Sequence, residues 1–174
     1  MRSVSLNART SHDAQATSEI EVVLLHITHP DLLDAVKLST DPTVRLSTDP
    51  LKYGTRSTWL AEEYADDTPY NFVLLNTQLP DDKEDTPAAA SVTVEMLDNT
   101  YSELFRSTQK RATVHMAIVM ASTPNLVEVQ WRDLKLVSAE GDNAQITMQI
   151  TRDPITSEPW PYGRMTRYRF PGLM

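Results

Sequence analysis

His26 and His29 stand three residues apart in the stretch VVLLHITHPDL. An H-x-x-H pair can hold zinc when both imidazoles reach one point. On a strand, residues three apart face opposite ways, so this pair could share a metal only if the chain turns at Thr28. The other reading is a pair of ordinary strand-end histidines. His115, in RATVHMAIVMAS, falls on the less apolar face of its strand and reads as a hydrogen-bonded structural histidine rather than a catalytic base. Acidic pairs occur at Glu62-Glu63, Asp66-Asp67, Asp81-Asp82 and Glu84-Asp85. Two-carboxylate hydrolases draw their carboxyls from elements facing each other across a cleft. Adjacent acids in loops are solvated charge. Asp41 and Asp49, in the near-duplicate stretches KLSTDP and RLSTDP, bring oxygen ligands suited to calcium, but the EF-hand ligand pattern and its glycine are missing.

The chain has no cysteine, which excludes disulfides, thiolate metal sites and cysteine nucleophiles. No G-x-S-x-G elbow, Walker loop or G-x-G-x-x-G fingerprint is present. Four glycines are too few to cradle phosphates by backbone in the usual way. The expectation is a protein that is not an enzyme, with no catalytic residue, no metal and no cofactor.

The elements that would carry these residues follow from periodicity. At 174 residues and a formal net charge of −8 the chain reads as one domain, acidic enough to disfavour gripping a nucleic acid backbone. The apolar runs are too short to span a bilayer. Residues 1–18 lack an apolar core and read as a mobile polar arm. Residues 19–157 form the expected β domain and residues 158–174 an extended strap, belonging to that domain or docking on a neighbour. EIEVVLLHIT, AVKLS, PYNFVLLNTQL, ASVTVEML, RATVHMAIVMAS and AQITMQIT all read as strands. Val92, Val94 and Met96, then Val114, Met116, Ile118 and Met120, and then Ile146, Met148 and Ile150 each share a face. Both STDP copies read as turns. In the strand that follows Pro124, Val127, Val129 and Trp131 alternate, then the apolar phase slips to Leu134 and Leu136, the mark of a β-bulge. Gly141 is the expected positive-φ residue of the turn after it. TYSE, residues 100 to 103, matches a capping box, so 100–109 reads as a helix packing Leu104 and Phe105 on the sheet. The fold class expected is mainly β: an antiparallel sandwich or distorted barrel with one packed helix.

The strap, EPWPYGRMTRYRFPGLM, interleaves Arg164, Arg167 and Arg169 with aromatics. Stacking on single-stranded nucleic acid is one use of that pattern. Packing on its own domain, or on a neighbouring subunit, is favoured, because Trp, Tyr and Arg are the usual interface anchors and proline-stiffened segments lose little entropy on docking. Trp160, Tyr162, Arg164, Arg167, Phe170 and Leu173 are the expected interface residues.

Four stretches taken in order resemble a family of tailed-phage minor tail proteins: VVLLHITHPDL with DAVKLSTDP, SVTVEMLDNTYSELFRST, VHMAIVMASTPNLVEV and the closing EPWPYGRMTRYRFPGLM. Members of that family resemble the N-terminal domain of distal tail (Dit-like) proteins. The resemblance covers residues 19–174. It implies a β-sandwich or barrel with a helix, a ring most often of six copies, and a structural role without catalysis or cofactor. The implied partners are other copies of the chain, the tail tube protein and the tip or hub proteins, with DNA passing through the lumen and no membrane insertion. The implied location is the distal end of a phage tail, after synthesis in the host cytoplasm. A tail-tip module binding host-surface glycan is the alternative.

Overall fold

The computed structural model describes residues 4–79, 89–95, 110–141, 145–152 and 172. A short helix, α1 (Leu6–Asp13), precedes β1 (Glu21–Thr28), β2 (Val36–Ser39), β3 (Val44–Thr48) and β4 (Leu51–Thr55). One turn of helix, α2 (Ala61–Tyr64), leads to β5 (Tyr70–Phe72), β6 (Leu74–Gln78), β7 (Ala89–Glu95), β8 (Thr113–Met120), β9 (Thr123–Gly141) and β10 (Gln145–Thr151). The expected helix at 100–109, with Leu104 and Phe105, lies outside the described residues.

The chain is mainly β. Among the described residues ten strands join one sheet in the order β3-β4-β5-β2-β1-β8-β9-β10-β7-β6. Every pairing among the described strands is antiparallel except β2 with β5, which is parallel. Strands β5 and β6 are separated in the chain only by Val73, yet they stand seven places apart in the sheet order. Consecutive residues cannot be far apart in space, so the sheet must roll until its β6 edge returns to β2 and β5. The Val73 N–H donates to the Ser39 carbonyl at that seam, 3.0 Å away. The result is a distorted barrel.

Its interior is the larger core. Leu25 and Ile27 from β1, Leu38 from β2, Val92 and Val94 from β7, Val114 and Met116 from β8, Leu134 from β9, and Ile146, Met148 and Ile150 from β10 pack together and are buried. Strand alternation delivers each of them to the inner face. Full burial of each such side chain stabilises the fold by roughly 1.5–3 kcal/mol.

The long β9 stays in the sheet by bulging. Leu134 pairs with Val114 while Trp131 pairs with Met116, so the phase slip in the sequence is a bulge. Asp133 sits there with φ of 58°, a left-handed conformation that Asp tolerates. A second register shift corrects the expected alternation. Val129 pairs with Ile118 and Val127 with Val119, so an extra residue intervenes. Val127 consequently packs with the outer cluster, and Trp131 with the inner one.

Two further expectations differ. Within the stretch read as a polar arm, residues 6–13 form α1, because Ser5 caps it by accepting from the Ala8 N–H at 3.1 Å. The Ser5 N–H in turn donates to the Glu128 carboxylate at 2.8 Å, and Ala8 is buried. Gly141 ends β9 without a positive φ. Its need for glycine is one of space, since a Cβ there would lie 2.1 Å from the Gln145 carbonyl oxygen. Gly54 has the same constraint more severely: φ is 156° and a Cβ would lie 1.9 Å from the Tyr70 carbonyl oxygen. Gly54→Ala should therefore part β4 from β5 and cost more than ~2 kcal/mol. A denaturation midpoint equal to that of the parent chain would show that the two strands do not need this close approach.

Both STDP copies are turns. The first links β2 to β3, with the Asp41 carboxylate accepting from the Thr43 N–H at 2.9 Å and the Thr43 hydroxyl at 2.7 Å. The second closes the β3–β4 hairpin. Among the described residues no helix is long and apolar enough to cross a membrane.

Candidate functional site

The residues with chemical potential gather outside the barrel, on the second face of β1, β2 and β8. Alternation that sends Leu25 and Ile27 inward sends Val22, Leu24 and His26 outward. The same rule puts His115, Ala117 and Val119 of β8 and Lys37 and Ser39 of β2 on that face. Residues 56–69 with α2 form a cover over it. Trp59 and Tyr70 pack there against Val22, Leu24, Ala117 and Val119 in a second core.

The cover is fastened by polar contacts. The Ser57 hydroxyl donates to the Pro124 carbonyl at 2.6 Å, the Thr58 N–H to the Asn125 side-chain oxygen at 2.9 Å, and the Tyr70 hydroxyl to the Trp59 carbonyl at 2.9 Å. Trp59 Nε1 donates to Gln130 at 3.3 Å, and Arg132 pairs with Glu63. These ties hold α2 although Leu60 and Ala65, at its two ends, have left-handed φ of 64° and 50°.

Beneath the cover, His26 and His115 are register partners with ring centroids 5.9 Å apart. Tyr64 lies over both, 4.7 Å from the His26 ring. His115 Nδ1 accepts from the Asp133 N–H at 3.2 Å, which leaves its proton on Nε2, donated to the Tyr64 hydroxyl oxygen at 2.8 Å. The bulge at Asp133 is what aims that N–H. Burial lowers the His115 pKa, and burial raises that of the Tyr64 phenol. His26 is wholly buried, and neither ring nitrogen has a hydrogen-bond partner among the described residues. Burial first, then the positive charge of Lys37, lowers its pKa to about 4. Lys37 is 3 % exposed, and its ammonium donates to the carbonyls of Asp66 and Thr68 at 2.8 and 3.1 Å. It also pairs with the Asp66 carboxylate at 3.2 Å and lies 5.4 Å from the Tyr70 ring centroid.

Chemically this is a staple. Both imidazoles are neutral near pH 7, the one ammonium is saturated by acceptors, and the cover lies over all three. General acid–base work needs a titrating group within reach of substrate, and His26 touches no solvent.

His29 stands apart from His26. Its Nε2 donates to the Lys110 carbonyl at 2.9 Å and its Nδ1 accepts from the Asp31 N–H at 3.1 Å. Both nitrogens are thereby committed, and no group of three His, Asp or Glu side chains suited to a metal ion occurs among the described residues. Glu62-Glu63 and Asp66-Asp67 lie in the cover, where Glu63 and Asp66 hold Arg132 and Lys37. The expected interface residues Trp160, Tyr162, Arg164, Arg167, Phe170 and Leu173 lie outside the described residues.

The cluster escaped sequence reasoning, although one signal was present. Lys37 sits between Val36 and Leu38 in VKLS, and His26 inside VVLLHIT, so β1 and β2 each carry a polar group that both-faced burial must partner. No protein-family model and no curated protein sequence matches the chain.

Proposed function

We propose that the chain is a structural subunit of a long-tailed phage virion: a ring-forming distal tail or tail-tip adaptor joining the tail tube to the tip. The observation that carries this reading is the architecture itself, a mainly β, distorted barrel of the kind implied by the stretches that resemble minor tail proteins. Two features agree with it. The buried polar cluster is closed off and suits stability rather than turnover. A net charge of −8 suits a wall along which DNA must slide without adhering.

The strap at 158–174 is the assembly element of this proposal, with Trp160, Tyr162, Arg164, Arg167, Phe170 and Leu173 contacting another copy. Deleting residues 159–174 should leave a soluble folded chain that fails to enter particles. A reconstruction of intact virions should place the chain in a closed ring about the tail axis, six copies being expected. A single copy, or a fibre standing off that axis, would refute the ring. Normal incorporation of the truncated chain would refute the role of the strap.

A further inference from the structure

The cover packs only on the outer core. Trp59 and Leu60 pack with Val22, Leu24, Ala117 and Val119, whereas the barrel interior includes no residue of 56–69. The cover can therefore lift without opening the interior. It is also built as a weak unit. No residue of 56–69 lies in a strand, and no residue of α2 is buried. Among the described residues every hydrogen bond and ion pair that ties it to the sheet involves a side chain. The left-handed φ of Leu60 and Ala65 adds local strain that release would relieve. Segments of this kind open first, below the free energy of global unfolding.

His26 lies beneath that cover with both ring nitrogens buried and without a hydrogen-bond partner among the described residues. A proton added there would leave a buried charge with no acceptor. Lys37 on β2 and His115 on β8 face the ring and repel such a charge. Glu63 and Asp66 of the cover attract it, but they are engaged by Arg132 and Lys37. The rings of Tyr64 and Tyr70, with centroids 4.7 and 6.5 Å away, add only weak attraction. His115 must also stay neutral, since its Nδ1 accepts from the Asp133 N–H. Asp133 and Glu63 favour its protonation, and Arg132 and Lys135 oppose it.

Strand β1 cannot move to relieve a charged His26. It is paired with β2 and β8 on its two sides, and Leu25 and Ile27 flanking His26 are fixed in the inner core. The cover can move, and it borders water. An open cleft of 430 Å³ meets the C-terminal end of α2, and Tyr64 and Asp66 form part of its wall.

We propose that the cover is an acid-released lid: protonation of His26 frees residues 56–69 from the sheet while the barrel stays folded. Release lets water solvate the imidazolium. It also uncovers Val22, Leu24, Ala117 and Val119 beside Lys37, so a closed core near neutrality becomes an exposed apolar strip with a cationic margin in acid. The acid-sensitive unit is the cover alone, whether or not the chain is a ring subunit.

The chain has no cysteine, so single thiols can report on each core. Val119→Cys places one under the cover, and Met148→Cys places one in the barrel interior; both positions are wholly buried. Each full-length chain is labelled between pH 7 and 4.5 with an aromatic disulfide reagent that reacts in acid. Taking the ratio of the two rates cancels the pH dependence of the thiol itself. The ratio of the Val119→Cys rate to the Met148→Cys rate should rise more than roughly tenfold over that range. With His26→Phe added to both chains it should stay constant within about twofold. Equal acceleration at both positions would overturn the proposal by showing that the whole fold opens. A flat ratio without acceleration would show that the cover stays closed in acid. A rise that survives His26→Phe would place the trigger elsewhere and also overturn it. Should Val119→Cys lack the parent's circular dichroism at pH 7, Val22→Cys, its register partner under the same cover, takes its place.

Discussion

Lowering the pH from 6.5 to 4 should destabilise the folded chain by about 3 kcal/mol, and His26→Phe should remove most of that dependence. The unfolded chain's histidine titrates near 6.5, whereas the buried His26 resists protonation until about 4. Between those values the unfolded state binds the proton and the folded state does not, so acid favours unfolding. The stabilisation is complete above the unfolded pKa and is lost progressively as the pH falls through the window. Burial is the main cause, and Lys37 and His115 on the flanking strands add repulsion against a charged ring. Asp66 and Glu63 of the cover oppose this weakly. His115 shifts in the same direction and will leave a residual slope in the variant. Phenylalanine keeps a ring against Tyr64 and removes two nitrogens that have no hydrogen-bond partner among the described residues, so its stability near pH 7 should change little. Denaturant midpoints measured across the window decide the matter. Equal slopes for the parent and the variant would show that His26 is protonated without cost, and therefore reached by solvent.

Lys37→Ala should cost about 3 kcal/mol, the loss expected when one member of a buried pair is removed. Its ammonium holds two carbonyls and one carboxylate of the 66–68 segment onto the barrel. Without it those acceptors lose their donor, and the cover loses its attachment beside Tyr70. Asp66 is 21 % exposed, so water relieves part of the deficit and the cost falls at the lower end of the usual range. Lys37→Met should recover part of the loss, because the stem continues to pack beside the Tyr70 ring. Both variants remove the positive charge that opposes protonation of His26, so both should flatten the acid dependence. Hydrogen exchange at Tyr70 and fluorescence of Trp59 should report the loosened cover. A Lys37→Ala chain within ~0.5 kcal/mol of the parent would mean that the ammonium is solvated rather than held.

The strands were legible from residue order because burial on a sheet imposes a period of two. VVLLHIT, TVHMAIVM and QITMQIT announced β1, β8 and β10, and the inward set Ile146, Met148 and Ile150 is the one found. The phase slip before Leu134 announced a bulge for the same reason. The two STDP turns followed from Asp-Pro chemistry, which acts over a few residues. What failed was whatever depended on partners distant in the chain. The single apolar run at 69–79 is two strands seven places apart in the sheet, β5 between β4 and β2 and β6 at the edge, because closure is set by long-range pairing, and no local pattern records that. Val127 and Trp131 look like one face until β8 fixes the register between them. Gly141 answers to the proximity of Gln145, not to its own φ. The polar cluster is the clearest case. Sequence placed His26, Lys37 and His115 on their strands but gave no reason to unite them, since β2, β1 and β8 become neighbours only through tertiary pairing. The acidic pair Asp66-Asp67 looked like solvated charge, and only the fold spends Asp66 on a buried ammonium. Local periodicity and turn chemistry are properties of neighbouring residues, so the sequence determined a β-rich, cysteine-free, acidic domain. Which polar groups are buried together depends on long-range pairing, and that the tertiary structure alone decided.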